Sequence, residues 1–406
     1  MFTANKNASH QSYPADLHEI MSIQKAAESR SWLSSWDKIN DGTPLHNLPG
    51  LAEELGVASI KVKDESARSE LGSFKALGAP IALVRLILRT FPESNFDPRL
   101  LLSGAYKSQL ADFTVVSATD GNHGKGLAAA AKDIGCKCVI VLHANVSIER
   151  EEAIAAYDAE IVRITGNYDE SVEHAASLAT SNNWIVVSDT SYEGYEIIPR
   201  DVMQGYGTIA AEIIDSINEG ENFTHVFLQG GVGGLAAGIV SYFWEFYGSK
   251  RPTFVVVEPE QADCLYQSAI AGKASNATGS VDSVMAGLAC GETSPLAWKF
   301  LQPTVDFFMT ITDDEAVASM RRLAVENGRD IPVVAGESAV AGLSALKQVV
   351  ESASLAADIG INAHSRVLLI STEGATAPKV FAELVGQTAE VVAQRQLVWT
   401  LAAETV

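Results

Sequence analysis

Lys75 closes the run Leu71-Gly-Ser-Phe-Lys75 and opens an apolar, helix-forming stretch. A lysine in the first turn of a helix faces the positive end of the macrodipole, and apolar neighbours desolvate its ammonium. Both effects are expected to lower its pKa, as an imine-forming or base lysine needs. On local features alone, a surface lysine snorkelling from that turn is the better reading. A second segment, Ser117-Ala-Thr119-Asp120-Gly-Asn122-His123-Gly124, leaves an apolar strand and enters an Ala-rich helix. Its amides and Asn122 could cup an anion at the helix N-terminus; a tight βα turn capped by Asp120 is the competing reading. His123 reads as structural, and no partner at metal-ligand spacing accompanies it, so no metal is expected. The third segment is Gly230, Gly231, Val232, Gly233 and Gly234, again between a strand and a helix. It is neither a dinucleotide fingerprint nor a Walker loop, yet nothing in it blocks a phosphate, and a phosphate cup is favoured over a plain turn. The fourth, Leu368-Leu-Ile-Ser371-Thr372-Glu-Gly374, ends a strand with two hydroxyls before a glycine turn.

The elements that must position these residues alternate. Short apolar runs predict strands at 60–63, 114–118, 139–143, 161–164, 184–187, 225–229, 254–258 and 366–371. Amphipathic runs between them predict helices near 75–90, 123–134, 148–157, 168–181, 200–218, 234–247, 313–327, 337–352 and 376–386. Strand–helix–strand units in series imply an α/β fold with parallel sheets covered on both faces. The first stretch of about 50 residues is irregular, an arm or covering segment and not a sheet unit.

The 406 residues carry 29 Lys and Arg against 50 Asp and Glu, a net charge of −21. Such a chain repels phosphate backbones and anionic lipid, so neither nucleic acid nor membrane is an expected partner. With 47% hydrophobic and 19% charged residues the chain can bury a sizeable core. Four cysteines make no disulfide framework and suit a reducing compartment. The polar N-terminus lacks the apolar region of a signal peptide, and a soluble cytoplasmic protein is expected.

In this order the four segments resemble the fold-type II pyridoxal-phosphate enzymes, the group of tryptophan synthase β, cysteine synthase and threonine dehydratase. Within it they are most similar to the diaminopropionate ammonia-lyases. Ala118-Thr-Asp-Gly-Asn-His-Gly124, Asp189-Thr-Ser-Tyr-Glu-Gly-Tyr-Glu-Ile-Ile-Pro199, Met203-Gln-Gly-Tyr-Gly-Thr208, Glu258-Pro-Glu-Gln-Ala-Asp-Cys264, Met285-Ala-Gly-Leu-Ala-Cys-Gly291 and Ser371-Thr-Glu-Gly374 carry the likeness, over about residues 40–375. The resemblance implies pyridoxal 5′-phosphate as cofactor and Lys75 as the Schiff-base lysine and base. It places Gly230 to Gly234 at the 5′-phosphate, Asn122 at the 3′-oxygen, and Ser371 or Thr372 at the pyridine nitrogen. A neutral hydroxyl at that nitrogen suits β-elimination better than transamination.

Asp120 takes a position where dehydratases of this fold usually have a neutral residue. A desolvated, unpaired carboxylate costs several kcal/mol, so its presence needs a reason, and a cationic amino acid supplies one. With Asp189, which the resemblance also places at the substrate, it would handle a β-ammonium or the α-proton of a D-isomer. Ser117, Thr119 and Tyr168 are further candidates to line the substrate site. The implied reaction is α,β-elimination of 2,3-diaminopropionate to pyruvate and two ammonia. A serine/threonine or hydroxyaspartate dehydratase, or a non-catalytic pyridoxal-phosphate binder, are the alternatives.

The run before Lys75 departs from the family pattern, as does Ala375-Thr-Ala after Gly374. Both changes flank the site, so they bear on the substrate more than on the cofactor. Cys264 and Cys290 could pair near the site mouth, though thiols are the better expectation, and Cys136 and Cys138 should not join. The implied architecture is two-domain: residues 1–85 and 197–406 as the larger, phosphate-binding domain, and 86–196 as a smaller inserted one. A homodimer is the family's usual assembly.

Overall fold

The computed structural model describes residues 1–119, 121–218, 220–325 and 328–403. Among these residues eleven strands form two sheets. The strands are β1 (Phe2–Ala4), β2 (Leu45–Asn47), β3 (Ser59–Asp64), β4 (Thr114–Ala118), β5 (Lys137–Leu142), β6 (Glu160–Arg163), β7 (Ile185–Val186), β8 (His225–Gln229), β9 (Thr253–Pro259), β10 (Phe307–Ile311) and β11 (Arg366–Ser371). The larger sheet has the order β1-β10-β9-β8-β11-β3-β2 and the smaller β6-β5-β4-β7.

Alternation decides the layers. In β8 and β9, Val226, Leu228, Phe254 and Val256 face one apolar cluster, and Phe227, Val255 and Val257 face another. Successive side chains of a strand point to opposite faces, so a strand apolar throughout must be covered twice. Helices Lys75–Thr90, Ile197–Ser216 and Gly234–Tyr247 supply Leu77, Val202 and Leu235 to the first face. Helices Asp313–Ala324 and Ala341–Glu351 supply Met320 and Leu343 to the second. The smaller sheet lies between helices Asn122–Ile134 and Tyr168–Asn182, and all its pairings are parallel.

Each of the eight expected strands is present within two residues at either end. The N-terminal stretch is the correction. It supplies an antiparallel edge strand to both ends of the larger sheet, β1 against β10 and β2 against β3. Strands of three residues are too short to show a period, yet short antiparallel edges close a parallel sheet against further pairing. The same stretch holds helix Ile23–Leu33, capped by Ser22, whose hydroxyl accepts from the Lys25 amide at 3.2 Å. That helix packs on Ile197–Ser216. Among the described residues no helix is long and apolar enough to cross a membrane.

Candidate active site

β8, β11 and β3 are adjacent and parallel, so the chain segments leaving their C-terminal ends open on one edge of the larger sheet. Those segments are the glycine loop, the Ser371–Gly374 turn and the loop to Lys75. β4 and β7 are parallel neighbours in the smaller sheet, and the segments bearing Asp120 and Asp189 follow their C-terminal ends. Crevices outside the carboxyl ends of parallel strands are where α/β folds bind ligands. Side-chain contacts join the edges here. Lys75 pairs with Asp189, and Asn122 Nδ2 donates to Glu373 Oε2 at 2.6 Å.

The Lys75 loop is fixed from below by a buried ionic network. The Arg68 guanidinium donates to Glu65 (2.9 Å from both Nε and Nη2) and to Glu212 (2.7 Å from both Nη1 and Nη2). Lys63 Nζ donates to Glu212 Oε2 at 2.7 Å and to the Thr43 carbonyl at 2.8 Å. Two cations and two carboxylates, all buried, balance their charges and rivet β3 to helix Ile197–Ser216. From above, the Phe74 amide donates to the Thr372 carbonyl at 3.0 Å and the Gly374 amide to the Gly72 carbonyl at 2.9 Å. Lys75 is thereby set against the end of β11.

Lys75 begins its helix, and its side chain is 20% exposed. The ammonium lies 5.2 Å from the Phe74 ring centroid and 5.9 Å from that of Tyr206. The expected lowered pKa is overturned. Burial does pull the ammonium down, but the Asp189 carboxylate outweighs it and holds Lys75 above the ordinary lysine range. Burial likewise works against the Asp189 carboxylate, and Lys75, then His123, keep it ionised below the usual range. Reading the neighbourhood of Lys75 in sequence omitted a partner that only the fold supplies.

The glycine loop is a cradle with little room for side chains at Gly230, Gly231 and Gly233. A Cβ on Gly230 would stand 2.8 Å from Glu258 Cγ, and one on Gly231 would stand 3.2 Å from Cys290 Sγ and from the Gly287 carbonyl. Gly233 has φ +104°, a conformation that side chains disfavour, and no side chain caps the helix that follows it. The first-turn amides of that helix are thus left for an anion. The Ser294 amide clamps the loop by donating to the Val232 carbonyl at 2.9 Å. Ser371 Oγ is buried and has no hydrogen-bond partner among the described residues. A lysine, an anion cradle and an orphaned hydroxyl on adjacent strands fit pyridoxal phosphate, which needs an amine, a phosphate site and a ring-nitrogen partner.

The model for pyridoxal-phosphate dependent enzymes matches residues 37–373. The chain belongs to that family. Pyridoxal phosphate is its cofactor, and the fold is fold-type II. Within the family it is 38% identical over 356 residues to the diaminopropionate ammonia-lyase of Escherichia coli K12, covering 86% of this chain and 89% of that one. It is 37% identical over 353 residues to the Salmonella typhimurium enzyme of the same name, covering 84% and 87%. The crystal structure of the holo E. coli enzyme superimposes with a TM-score of 0.87 at 35% identity, covering 95% of this chain and 96% of that one. The same enzyme has been solved with an aminoacrylate–PLP azomethine reaction intermediate. The resemblance drawn from the short motifs holds across most of the chain.

The other candidate residues of this pyridoxal-phosphate enzyme have the following surroundings. Asp120 lies outside the described residues. Thr119 Oγ1 accepts from the Gly121 and Gly124 amides at 3.2 and 3.3 Å, which fixes the turn. Ser117, fully buried, donates to the Ala118 carbonyl at 3.4 Å. His123 Nε2 donates to the Val187 carbonyl at 2.9 Å, and Nδ1, with no hydrogen-bond partner among the described residues, lies 3.9 Å from Asp189 Oδ2. Tyr168 begins its helix, 40% exposed, with its ring edge-on to His143 at 6.1 Å. Cys264 and Cys290 remain thiols.

Beside the buried Glu65 and Glu212, Glu373 and Glu337 are carboxylates that sequence reading does not assign to the site. Glu373 holds Asn122, and its Oε1 accepts from the Ser338 amide at 3.3 Å. Glu337 is 2% exposed and lies 3.4 Å from Arg150; burial, then the Glu373 charge, push its pKa up to about 7. The Ser371-Thr-Glu-Gly374 motif contained the signal for Glu373, a carboxylate at a buried strand end that requires a partner.

Proposed function

We propose that this chain is a diaminopropionate ammonia-lyase, which eliminates the β-amine of 2,3-diaminopropionate. The enamine released hydrolyses to pyruvate and a second ammonia. The observation that carries the reading is the Lys75–Asp189 ion pair, which puts an ionised carboxylate beside the cofactor lysine where a cationic substrate must enter. Bound pyridoxal phosphate supplies an electron sink for the α-carbon. Lys75, once neutral, takes the α-proton from one face. Asp189 holds the β-ammonium charged, and an amine leaves far better protonated than neutral. Asp120 either shares that ammonium or takes the D-isomer α-proton from the face opposite Lys75.

Gly230, Gly231, Val232, Gly233 and Gly234 take the 5′-phosphate in this reading, and Asn122 the 3′-oxygen. Ser371 or Thr372 faces the pyridine nitrogen, a role that the unpartnered Ser371 hydroxyl supports. Ser117, Thr119 and Tyr168 border the substrate. The domain division fits as well: β4 to β7 fall wholly within 86–196, and every strand of the larger sheet falls within 1–85 or 197–406. A cytoplasmic homodimer completes the proposal, on the strength of the family resemblance.

The test is pyruvate release from D- and L-2,3-diaminopropionate, serine and threonine, measured side by side. Both diaminopropionate isomers are expected to outpace the hydroxy amino acids. Preference for serine or threonine sinks the proposal.

A further inference from the structure

Tyr206 lies in the Met203–Thr208 block, which the reaction as described leaves without a role. It belongs to helix Ile197–Ser216 and is 1% exposed. Its ring lies 4.8 Å from that of Phe74, and a Cβ on Gly78 would stand 2.5 Å from its Cε1. Packing this tight fixes the ring, yet the hydroxyl has no hydrogen-bond partner among the described residues. A buried, unpaired hydroxyl is unfavourable, and such atoms mark a place where a partner arrives. The ring faces the Lys75 ammonium at 5.9 Å, and Lys75 is the charge that acts most on the phenol.

The chemistry of Lys75 defines what that partner must be. As an ammonium it needs an acceptor, which Asp189 provides. As a neutral amine, the form that attacks a carbonyl or takes a proton, it needs a donor to its lone pair. The groups facing Lys75 are Asp189 from the loop after β7, Tyr206 and Phe74 from the helical elements, and Cys290 beside the glycine loop; His123 acts through Asp189. An ionised carboxylate only accepts, Phe74 does neither, and a thiol donates weakly. Burial pushes the Tyr206 phenol up, so it stays protonated and able to donate.

We propose that Tyr206 is a positioning residue for Lys75, its hydroxyl donating to the neutral amine when Lys75 releases Asp189. The ammonium then rests on Asp189 and the amine on Tyr206, within one pivot of the side chain. As a phenolate Tyr206 would raise the Lys75 pKa, but burial keeps the phenol protonated. A protonated donor to the neutral amine disfavours the charged form, so Tyr206 opposes the pull of Asp189 on the Lys75 proton. The proposal rests on Lys75 as the cofactor lysine, a reading that Lys75→Ala tests alone through loss of the Schiff-base absorbance band.

Tyr206→Phe keeps the ring and removes the hydroxyl. Two readouts are compared with wild type: the pH dependence of cofactor capture by the apo-protein, followed by absorbance, and the pH profile of kcat on L-diaminopropionate. The thermal midpoint and KM are measured alongside. The limb that reports the neutral amine is expected to move to higher pH by about one unit in both profiles, roughly tenfold in rate below it, with KM and final cofactor content unchanged. Coincident profiles overturn the proposal, whether or not the thermal midpoint falls. Failure of Y206F to fold overturns it too, by assigning the hydroxyl to the packing.

Discussion

Lys75 and Asp189 stand 114 positions apart in sequence and meet as an ion pair between the carboxyl edges of the two sheets. Each sets the other's charge state: the carboxylate holds the ammonium protonated, and the ammonium holds the carboxylate ionised. Under the proposed function, a substrate ammonium arriving at Asp189 would compete for the same oxygens. Cation binding would then loosen the grip that keeps Lys75 from acting as a base, coupling substrate charge to catalysis.

Asp189→Asn tests that coupling, because it keeps the shape and removes the charge. Without its carboxylate, burial is the dominant influence on Lys75, and the amine limb of the kcat profile is expected to move to lower pH. Turnover of diaminopropionate should fall by roughly 10²–10⁴ with cofactor still bound. Wild-type kcat in this variant would show that the carboxylate takes no part.

Asp120→Asn separates the two isomers. If Asp120 takes the D-isomer α-proton, the amide variant keeps its cofactor absorbance and loses D-turnover by about 10²-fold or more, with L-turnover less affected. Equal losses on both isomers would place Asp120 at the β-ammonium instead, and an unchanged D-rate removes it from the reaction.

Below the site, Arg68→Met leaves Glu65 and Glu212 buried with only Lys63 to balance them. Removing one partner of a buried ion network costs about 3–5 kcal/mol. The denaturant midpoint of the apo-protein should drop accordingly. A shift near zero would mean that water reaches the network.

Gly231→Val puts a branched side chain where Cys290 and the Gly287 carbonyl already lie 3.2 Å from a bare Cβ. Displacing the loop tilts its amides from the phosphate, and cofactor affinity should weaken by about 10–100-fold. Equilibrium dialysis of pyridoxal phosphate reads this directly, and unchanged affinity would argue that the phosphate is held elsewhere.

How much of this was legible follows from what each residue's neighbours are. β8, β11 and the helix that Lys75 opens have local patterns strong enough to place, and the glycine loop declares itself by composition. Local sequence misstates the charge of Lys75 because its decisive neighbour, Asp189, sits in a loop that follows a strand of the other sheet. β10, Phe307-Phe-Met-Thr-Ile311, is four apolar residues and one threonine, too short a run to carry a period that separates a strand from a buried helix segment. Glu337 and Glu373 were silent for a related reason: a carboxylate looks like surface charge until burial is known.

Glu337 makes a pH-dependent statement about the native state. Its folded pKa of about 7 lies above the ordinary 4.5, raised by burial first and by Glu373 second. A raised pKa means that the native state favours the protonated acid. That contribution is fully present below the ordinary value and is lost as pH rises through about 7. Glu337→Gln mimics the protonated acid and does not titrate. The thermal midpoint of the variant should therefore match wild type below about pH 4.5 and exceed it by a margin that widens up to about pH 7 and then levels off, a few degrees at about 1 kcal/mol. Parallel curves across that range would mean that Arg150, 3.4 Å away, already keeps Glu337 ionised in the native state.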